Sequence, residues 1–255
     1  MTPMAQIRRT SAEFLTAVQF LTRVPMPSQP YEADSLVRSL KFFPLVGLIV
    51  GGGAAFVHFL LAPHLSRLAA AFFVLLYLTL ITGCLHEDGL ADTADGFGGG
   101  RSHEQVLLIM RDSRIGTYGG VALALSLIGR LVLIASIPLS QVPYYLLSTT
   151  VLARWTVLPL SYFLSSARTQ TDGQGARIAR LTSTGTLVAG TVFSFGVAAL
   201  LLKTRAIAPI LAIIALTWLT GFYYKRRIGG ITGDCFGATI QIGELGIYLC
   251  GAWVL

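Results

Sequence analysis

Charge is scarce in this sequence. Only 12% of its 255 residues are Asp, Glu, Lys or Arg, about half the share of an ordinary soluble domain. With a mean hydropathy of +0.69, that scarcity excludes a water-soluble globule and points to a polytopic membrane protein. Cysteine is scarce too. Cys84, Cys235 and Cys250 lie in or beside apolar runs without pairing spacing, so no disulfide framework is expected. There is no CxxC pair, and HEDGL puts Leu90 where a zinc-binding HExxH needs its second histidine. Zinc is therefore not expected. The net charge of +7 is scattered around apolar runs and forms no basic stripe, which argues against nucleic acid as a partner. No internal repeat and no long low-complexity linker divides the chain, so residues 1–255 read as one membrane domain. A cleavable signal peptide is not expected, because the apolar patch Phe14–Leu21 is short and Arg23 interrupts it.

What the sequence does have is apolar runs. Seven are long enough, or nearly so, to cross a bilayer: Phe42–Ala62, Leu68–Leu85, Ile115–Ile137, Val142–Leu164, Gly185–Leu202, Ala206–Tyr224 and Cys235–Leu255. Gly51, Gly52 and Gly53 would allow close helix packing in the first, and Glu244 weakens the last. Residues 11–24 carry Phe14, Ala17, Val18 and Leu21 on one side and stop at Pro25 and Pro27. They read as an interfacial amphipathic helix, or equally as a short helix packed on the catalytic segment. The expected fold is all-α, with about seven transmembrane helices behind that N-terminal helix.

Basic residues orient the spans. With the N-terminus inside, only Arg67, Lys203 and Arg205 fall in outside segments, and Arg130 and Arg154 fall within spans. The remaining Lys and Arg all lie inside. The expected location is the cell inner membrane, with the acidic segment 86–114 facing the cytoplasm. Ser165–Thr184, with Gly173, Gly175 and its arginines, reads as a mobile cytoplasmic loop.

That acidic segment holds the chemistry. Six of the chain's twelve acidic residues fall between Gly83 and Gly120: Glu87, Asp88, Asp92, Asp95, Glu104 and Asp112. On a helix, Asp88, Asp92 and Asp95 share an arc of about 60°. Crowded carboxylates repel and need a cation, and hard oxygens at this spacing suit Mg²⁺. The plain alternative is a solvated acidic loop. His86 reads as a capping or core histidine unless chemistry needs it. A second motif, Arg111-Asp112-Ser113-Arg114, and a third, Gly233-Asp234 with Glu244 beyond, flank the same side. A divalent metal held by carboxylates, with arginines nearby, is what phosphoryl transfer requires. Buried in spans, Arg130 and Arg154 either bind an anion or form an internal ion pair with Glu244. A transporter lined by these three residues is the competing reading.

By spacing, the chain shares a chemical class with CDP-alcohol phosphotransferases and UbiA-type prenyltransferases, though it matches neither pattern outright. GCLHEDGLADTADG, IMRDSRIGTYGG, FLTRVPMP, FPLVG and TGDCFGATIQIGEL closely resemble the cobalamin synthase family, the adenosylcobinamide-GDP ribazoletransferases. The likeness runs from the N-terminal helix to the last span and is looser between about 165 and 230. It implies a Mg²⁺-dependent inner-membrane enzyme joining adenosylcobinamide-GDP to α-ribazole or its 5′-phosphate, with GMP released. Carried onto this chain, it implies Asp88, Asp92, Asp95 and Asp234 as metal ligands and His86, Asp112 and Arg114 as catalytic groups. Arg111, Arg130 and Arg154 are the expected substrate-binding residues. The lipid bilayer is a further expected partner, and a homo-oligomer is left open.

Overall fold

The computed structural model describes residues 3–27, 35–168 and 182–253; these form helices joined by turns and short connections, with one isolated parallel bridge between Ser166 and Ile231. The centre of the expected loop Ser165–Thr184 lies outside the described residues. Helix α1 (Pro3–Leu21) is followed by the short α2 (Ser35–Ser39). A 3-10 turn then leads into α3 (Phe43–Leu61), with proline in its first turn. Next come α4 (Arg67–Thr82), α5 (Leu85–Gly99), α6 (His103–Ile109), α7 (Thr117–Ser136), α8 (Val142–Trp155) and α9 (Val157–Phe163). The chain closes with α10 (Thr184–Leu202), α11 (Ile207–Ile228) and α12 (Gly233–Ala252). Side-chain caps start several of them: Ser66, Ser102, Ser183 and Thr232 each accept from a backbone N–H in the first turn of α4, α6, α10 and α12.

Four helical stretches are long and apolar enough to span: Ser35–Leu61, Thr117–Ser136, Thr184–Ile228 and Gly233–Ala252. The pair α4–α5, bent by 86°, makes a fifth if taken together. The expected seven runs are thus met by four or five stretches, because breaks divide the others. Thr156 separates α8 from α9, and α4 ends after 16 residues. The stretch Thr184–Ile228 is 45 residues long. As one straight helix it would reach roughly 68 Å, twice the bilayer's ~30 Å core. Lys203, at φ 54°, turns it back. Thr184 at its start meets the hydroxyl of Tyr162 at 3.1 Å, and Gly221 near its end packs on Leu160 and Leu164.

The outward faces carry large apolar side chains that a bilayer would cover. Phe59 of α3, Phe72 of α4, Leu125 of α7, Leu200 of α10 and Trp218 of α11 are all exposed. By contrast, α12 is mostly buried and forms the centre, packed by α5, α7, α8 and α11. Gly47 and Gly51 let α3 lie directly against α8 at Thr150, and Gly53 lies against Tyr77 of α4. Close packing at Gly51 and Gly53 was legible in the sequence, whereas Gly52 makes no close contact and Gly47 was not foreseen.

Helix α1 packs on α2 and α3, with Phe14 edge-on to Phe42 and Phe20 stacked on Phe43 at 5.8 Å. Its buried face also holds a carboxylate. Glu13 is ringed by Lys41 at 2.7 Å, Arg9 at 3.1 Å and Arg38 at 3.2 Å. Burial opposes its ionisation, but Lys41 and Arg9 outweigh that and hold its carboxyl below the ordinary value.

Candidate active site

Two left-handed residues in a row, Gly83 at φ 62° and Cys84 at φ 61°, turn the chain sharply out of α4 into α5. Left-handed backbone suits glycine, and the space there also demands it, since the Arg23 side chain lies where a Cβ on Gly83 would go. Arg23 ties the corner, its N–H donating to the Ile81 carbonyl at 2.7 Å. Carrying four carboxylates in 15 residues, α5 leaves α4 at 86°.

Gly89 of α5 and Gly237 of α12 meet at a helix crossing. A Cβ on Gly89 would come 2.7 Å from the Asp234 carbonyl oxygen and 3.2 Å from the Gly237 Cα. Backbone this close brings Asp88 and Asp92 beside Asp234. The electrostatics register the crowding. Burial, then Asp88, Asp234 and Asp95, push the Asp92 carboxyl up to about 7, against Arg168. Asp234 is bonded by Arg168 at 3.3 Å and by the Thr232 hydroxyl at 3.3 Å. Arg168 is delivered by the bridge beside it, where the Ile231 N–H donates to the Ser165 carbonyl at 2.9 Å.

Asp95 shares the face but is bonded otherwise. Its oxygens accept from the N–H groups of Gly116 at 2.7 Å and Gly119 at 2.8 Å. It therefore caps α7 from outside that helix, satisfying free first-turn donors and complementing the helix dipole. A Cβ on either glycine would strike the carboxylate, which accounts for Gly116 and Gly119, two of the three glycines of the IGTYGG motif.

Arg114 grips Asp112 with a two-nitrogen fork, at 3.0 and 2.6 Å, in the exposed turn before α7. Hydrogen bonds from the Arg114 side chain and backbone hold the Asp112 carboxyl down at about 2. Arg111 is exposed in the same turn. Asp234 thus joins Asp88 and Asp92, whereas Asp112 makes its contacts with Arg114.

Beneath the acidic face lies a buried polar network. Arg130 donates to Glu87 at 2.8 Å and to Glu244 at 3.0 Å. Gln241 donates to Glu87 at 3.2 Å and accepts from Ser126 at 2.9 Å. Arg154 donates to the Thr150 carbonyl of its own helix at 3.1 Å. Neither arginine lines the cavity described next. Glu87 and Arg168 escaped the sequence reading. For Glu87 a signal existed, since an arginine within a span demands an acidic partner. Arg168 stood in a loop with nothing to mark it.

Between α1, α3, α5, α9 and α12 lies a cavity of about 140 Å³. Asp88, Asp234 and His86 are its polar lining, and Phe20, Phe43 and Phe236 are among its apolar walls. His86 is buried with its Nε2 unpartnered, and burial lowers its imidazole pKa well below the ordinary value, leaving it neutral.

Carboxylate oxygens crowded with few cations fit a hard divalent ion. Among the described residues no three His, Cys, Asp or Glu side chains form a ready-made chelating group. That still suits Mg²⁺, which keeps several waters and binds through one or two carboxylates plus substrate phosphates.

A family model for cobalamin-5-phosphate synthase matches residues 13–252. The chain is similar to the adenosylcobinamide-GDP ribazoletransferase of Polaromonas sp., 37% identical with 98% of each chain covered. It is similar to the same-named protein of Vibrio cholerae, 38% identical with 96% of this chain and 95% of the relative covered. That of Klebsiella pneumoniae is 38% identical, with 91% and 96% covered. No solved structure matches the chain.

Proposed function

The chain belongs to the cobalamin-5-phosphate synthase family, and from that premise we propose that it is an adenosylcobinamide-GDP ribazoletransferase. A ribose hydroxyl of α-ribazole, or of its 5′-phosphate, attacks the phosphorus that carries adenosylcobinamide. The bond from that phosphorus to the bridging oxygen of the diphosphate breaks, and GMP leaves. The product is adenosylcobalamin or its 5′-phosphate, at the last steps of cobalamin biosynthesis. The observation that carries this reading is the convergence of Asp88, Asp92 and Asp234 at the Gly89–Gly237 crossing.

Asp88, Asp92 and Asp234 are the residues proposed to hold Mg²⁺, with Asp95 adjoining through whatever lone pairs its amide bonds leave free. The ion supplies neutralisation of diphosphate charge when bound. Arg168 stands beside Asp234 and binds phosphate oxygens of the donor. Arg111 and the Asp112–Arg114 fork border the site from the turn before α7 and receive the guanosine end. Neutral His86, its Nε2 free, takes the proton of the attacking hydroxyl. Arg130 and Arg154 act from below, by fixing α5 and α8 rather than by touching substrate. A transport path loses its motive here, because Arg130 pairs with both Glu87 and Glu244.

The membrane arrangement proposed is seven crossings in the inner membrane, α3, α4, α7, α8–α9, α10, α11 and α12, with α1 interfacial and the acidic end cytoplasmic. Arg67 bonding to the Ile137 carbonyl at one end, and Arg227 to Phe97 and Gly100 at the other, support it.

The test is chemical. Detergent-solubilised protein, with no sealed vesicle, should release one GMP per corrinoid product from adenosylcobinamide-GDP and α-ribazole in the presence of Mg²⁺. Absence of product with both substrates saturating rejects the assignment.

A further inference from the structure

We propose that the cavity between α1, α3, α5, α9 and α12 seats the aromatic base of the acceptor nucleoside, with its ribose at the Asp88–Asp234 mouth. This rests on the transferase reading and assigns a part of the site that the reading leaves blank.

Size comes first. A cavity of about 150 Å³ lined by Leu, Ile and Phe takes up benzene, so about 140 Å³ holds one small ring system. A corrinoid or a whole guanosine diphosphate is far too large. Only a flat base among the substrates' parts is of suitable scale, and size alone does not separate the acceptor's dimethylbenzimidazole from the donor's purines.

Chemistry agrees with size. Phe20 stacks on Phe43 at 5.8 Å with 20° between ring planes, and Phe236, Val157 and Ile240 join them. That wall offers a guanine edge nothing to bond, and burying such an edge unpaired is costly. An alkylated benzimidazole has almost no polar edge, and flat rings stack well against phenylalanine.

Polarity is confined to one part of the lining. His86 belongs to that part of the lining, where it meets the ribose rather than the base. Asp88 and Asp234 share that lining. A base seated among the rings therefore directs its ribose towards the carboxylates, where the phosphorus must arrive. The inference also gives α1 a task, since Phe20 and Leu21 close the cavity.

The experiment uses the full chain in detergent and the intrinsic fluorescence of the benzimidazole, with no donor present. Wild type should bind α-ribazole, and the analogue without its two methyl groups should bind about tenfold more weakly, as expected for methyls in an apolar pocket. V157F and I240F, which fill the cavity, should each raise the acceptor KM by about tenfold or more and leave the adenosylcobinamide-GDP KM nearly unmoved. Equal binding of the two nucleosides by wild type overturns the proposal without any variant being needed. So does a filled cavity that weakens donor and spares acceptor. If wild type transfers nothing yet binds the nucleosides in this order, the transferase reading falls and the cavity assignment stands.

Discussion

Arg130 reaches Glu87, 43 positions away in the chain, across 2.8 Å in the interior of the bundle, and holds Glu244 at 3.0 Å with a second nitrogen. Three helices, α5, α7 and α12, are thereby fastened at one guanidinium. Glu87 and Asp88 are neighbours about 100° apart around α5, so fixing one aims the other towards Asp234. Removing one partner of a buried ion pair costs about 3–5 kcal/mol, because the remaining charge is stranded. R130M should therefore lower the thermal midpoint strongly. The triple change R130M/E87Q/E244Q should recover much of the loss. Equal midpoints for R130M and wild type would show that the cluster contributes no stability.

The Asp92 carboxyl gives a pH signature. Folding raises its pKa from 3.8 to about 7, through burial first and then Asp88 and Asp234. The folded state thus binds this proton more tightly than the unfolded chain does. Without divalent cation, stability should fall as pH rises through the window from about 4 to about 7. Added Mg²⁺ should offset the fall at neutral pH. D92N should flatten the profile and abolish most transfer while the protein still inserts. A wild-type midpoint independent of pH and Mg²⁺ across that window would refute the crowding argument.

Asp95 separates two roles that one helical face had merged. Its oxygens serve the amides of Gly116 and Gly119. Loss of such a cap costs about 1–2 kcal/mol. D95A should therefore lower the unfolding midpoint and, if capping is its whole task, leave the Mg²⁺ concentration for half-maximal rate unchanged. A large rise in that concentration would assign it to the metal as well.

Periodicity carried the sequence reading a long way. The i, i+4, i+7 spacing put Asp88, Asp92 and Asp95 on one face, and the apolar runs located the helices. It stopped at the long-range contacts. Nothing in the spacing reveals that Asp95 is bonded 21 and 24 positions ahead, or that Arg168 arrives beside Asp234 by way of a two-residue bridge. Span number was only partly legible, for a local reason: Thr156 breaks one run and Lys203 turns another, so four or five stretches are long and apolar enough to cross where seven runs were expected. Glu13 escaped because a carboxylate on the apolar face of α1 makes sense only once Arg38 and Lys41 fold back over it.

Topology is open to direct test. Reporter fusions at Arg101 and Arg226 should both signal cytoplasm, and one at Arg67 the opposite side, as the distribution of basic residues requires. Arg227 bonds the carbonyls of Phe97 and Gly100 at 2.9 Å, so the first two sites lie at one end of the bundle. Opposite signals from Arg101 and Arg226 would contradict that contact as well as the orientation.

The crossing of α5 and α12 makes the sharpest demand on residue type. At Gly237 a Cβ would stand 3.3 Å from Gly89 Cα and 3.3 Å from the His86 carbonyl, and at Gly89 it would stand 2.7 Å from the Asp234 carbonyl. Those neighbours are backbone, so neither can swing aside as a side chain would. An alanine must push the helices apart, at a cost of about 1–3 kcal/mol for overpacking. That shift also separates Asp88 and Asp92 from Asp234, and misplacement of about 1 Å can cost roughly a hundredfold in rate. G89A should therefore lose far more kcat than its modest loss of stability explains. G237A, with longer contacts, should fall between G89A and wild type. A control at Gly196, where a Cβ meets nothing within 4 Å, should keep both rate and midpoint. Full activity in G89A would mean that α5 and α12 need not touch for the carboxylates to act together, and the site would have to be drawn elsewhere.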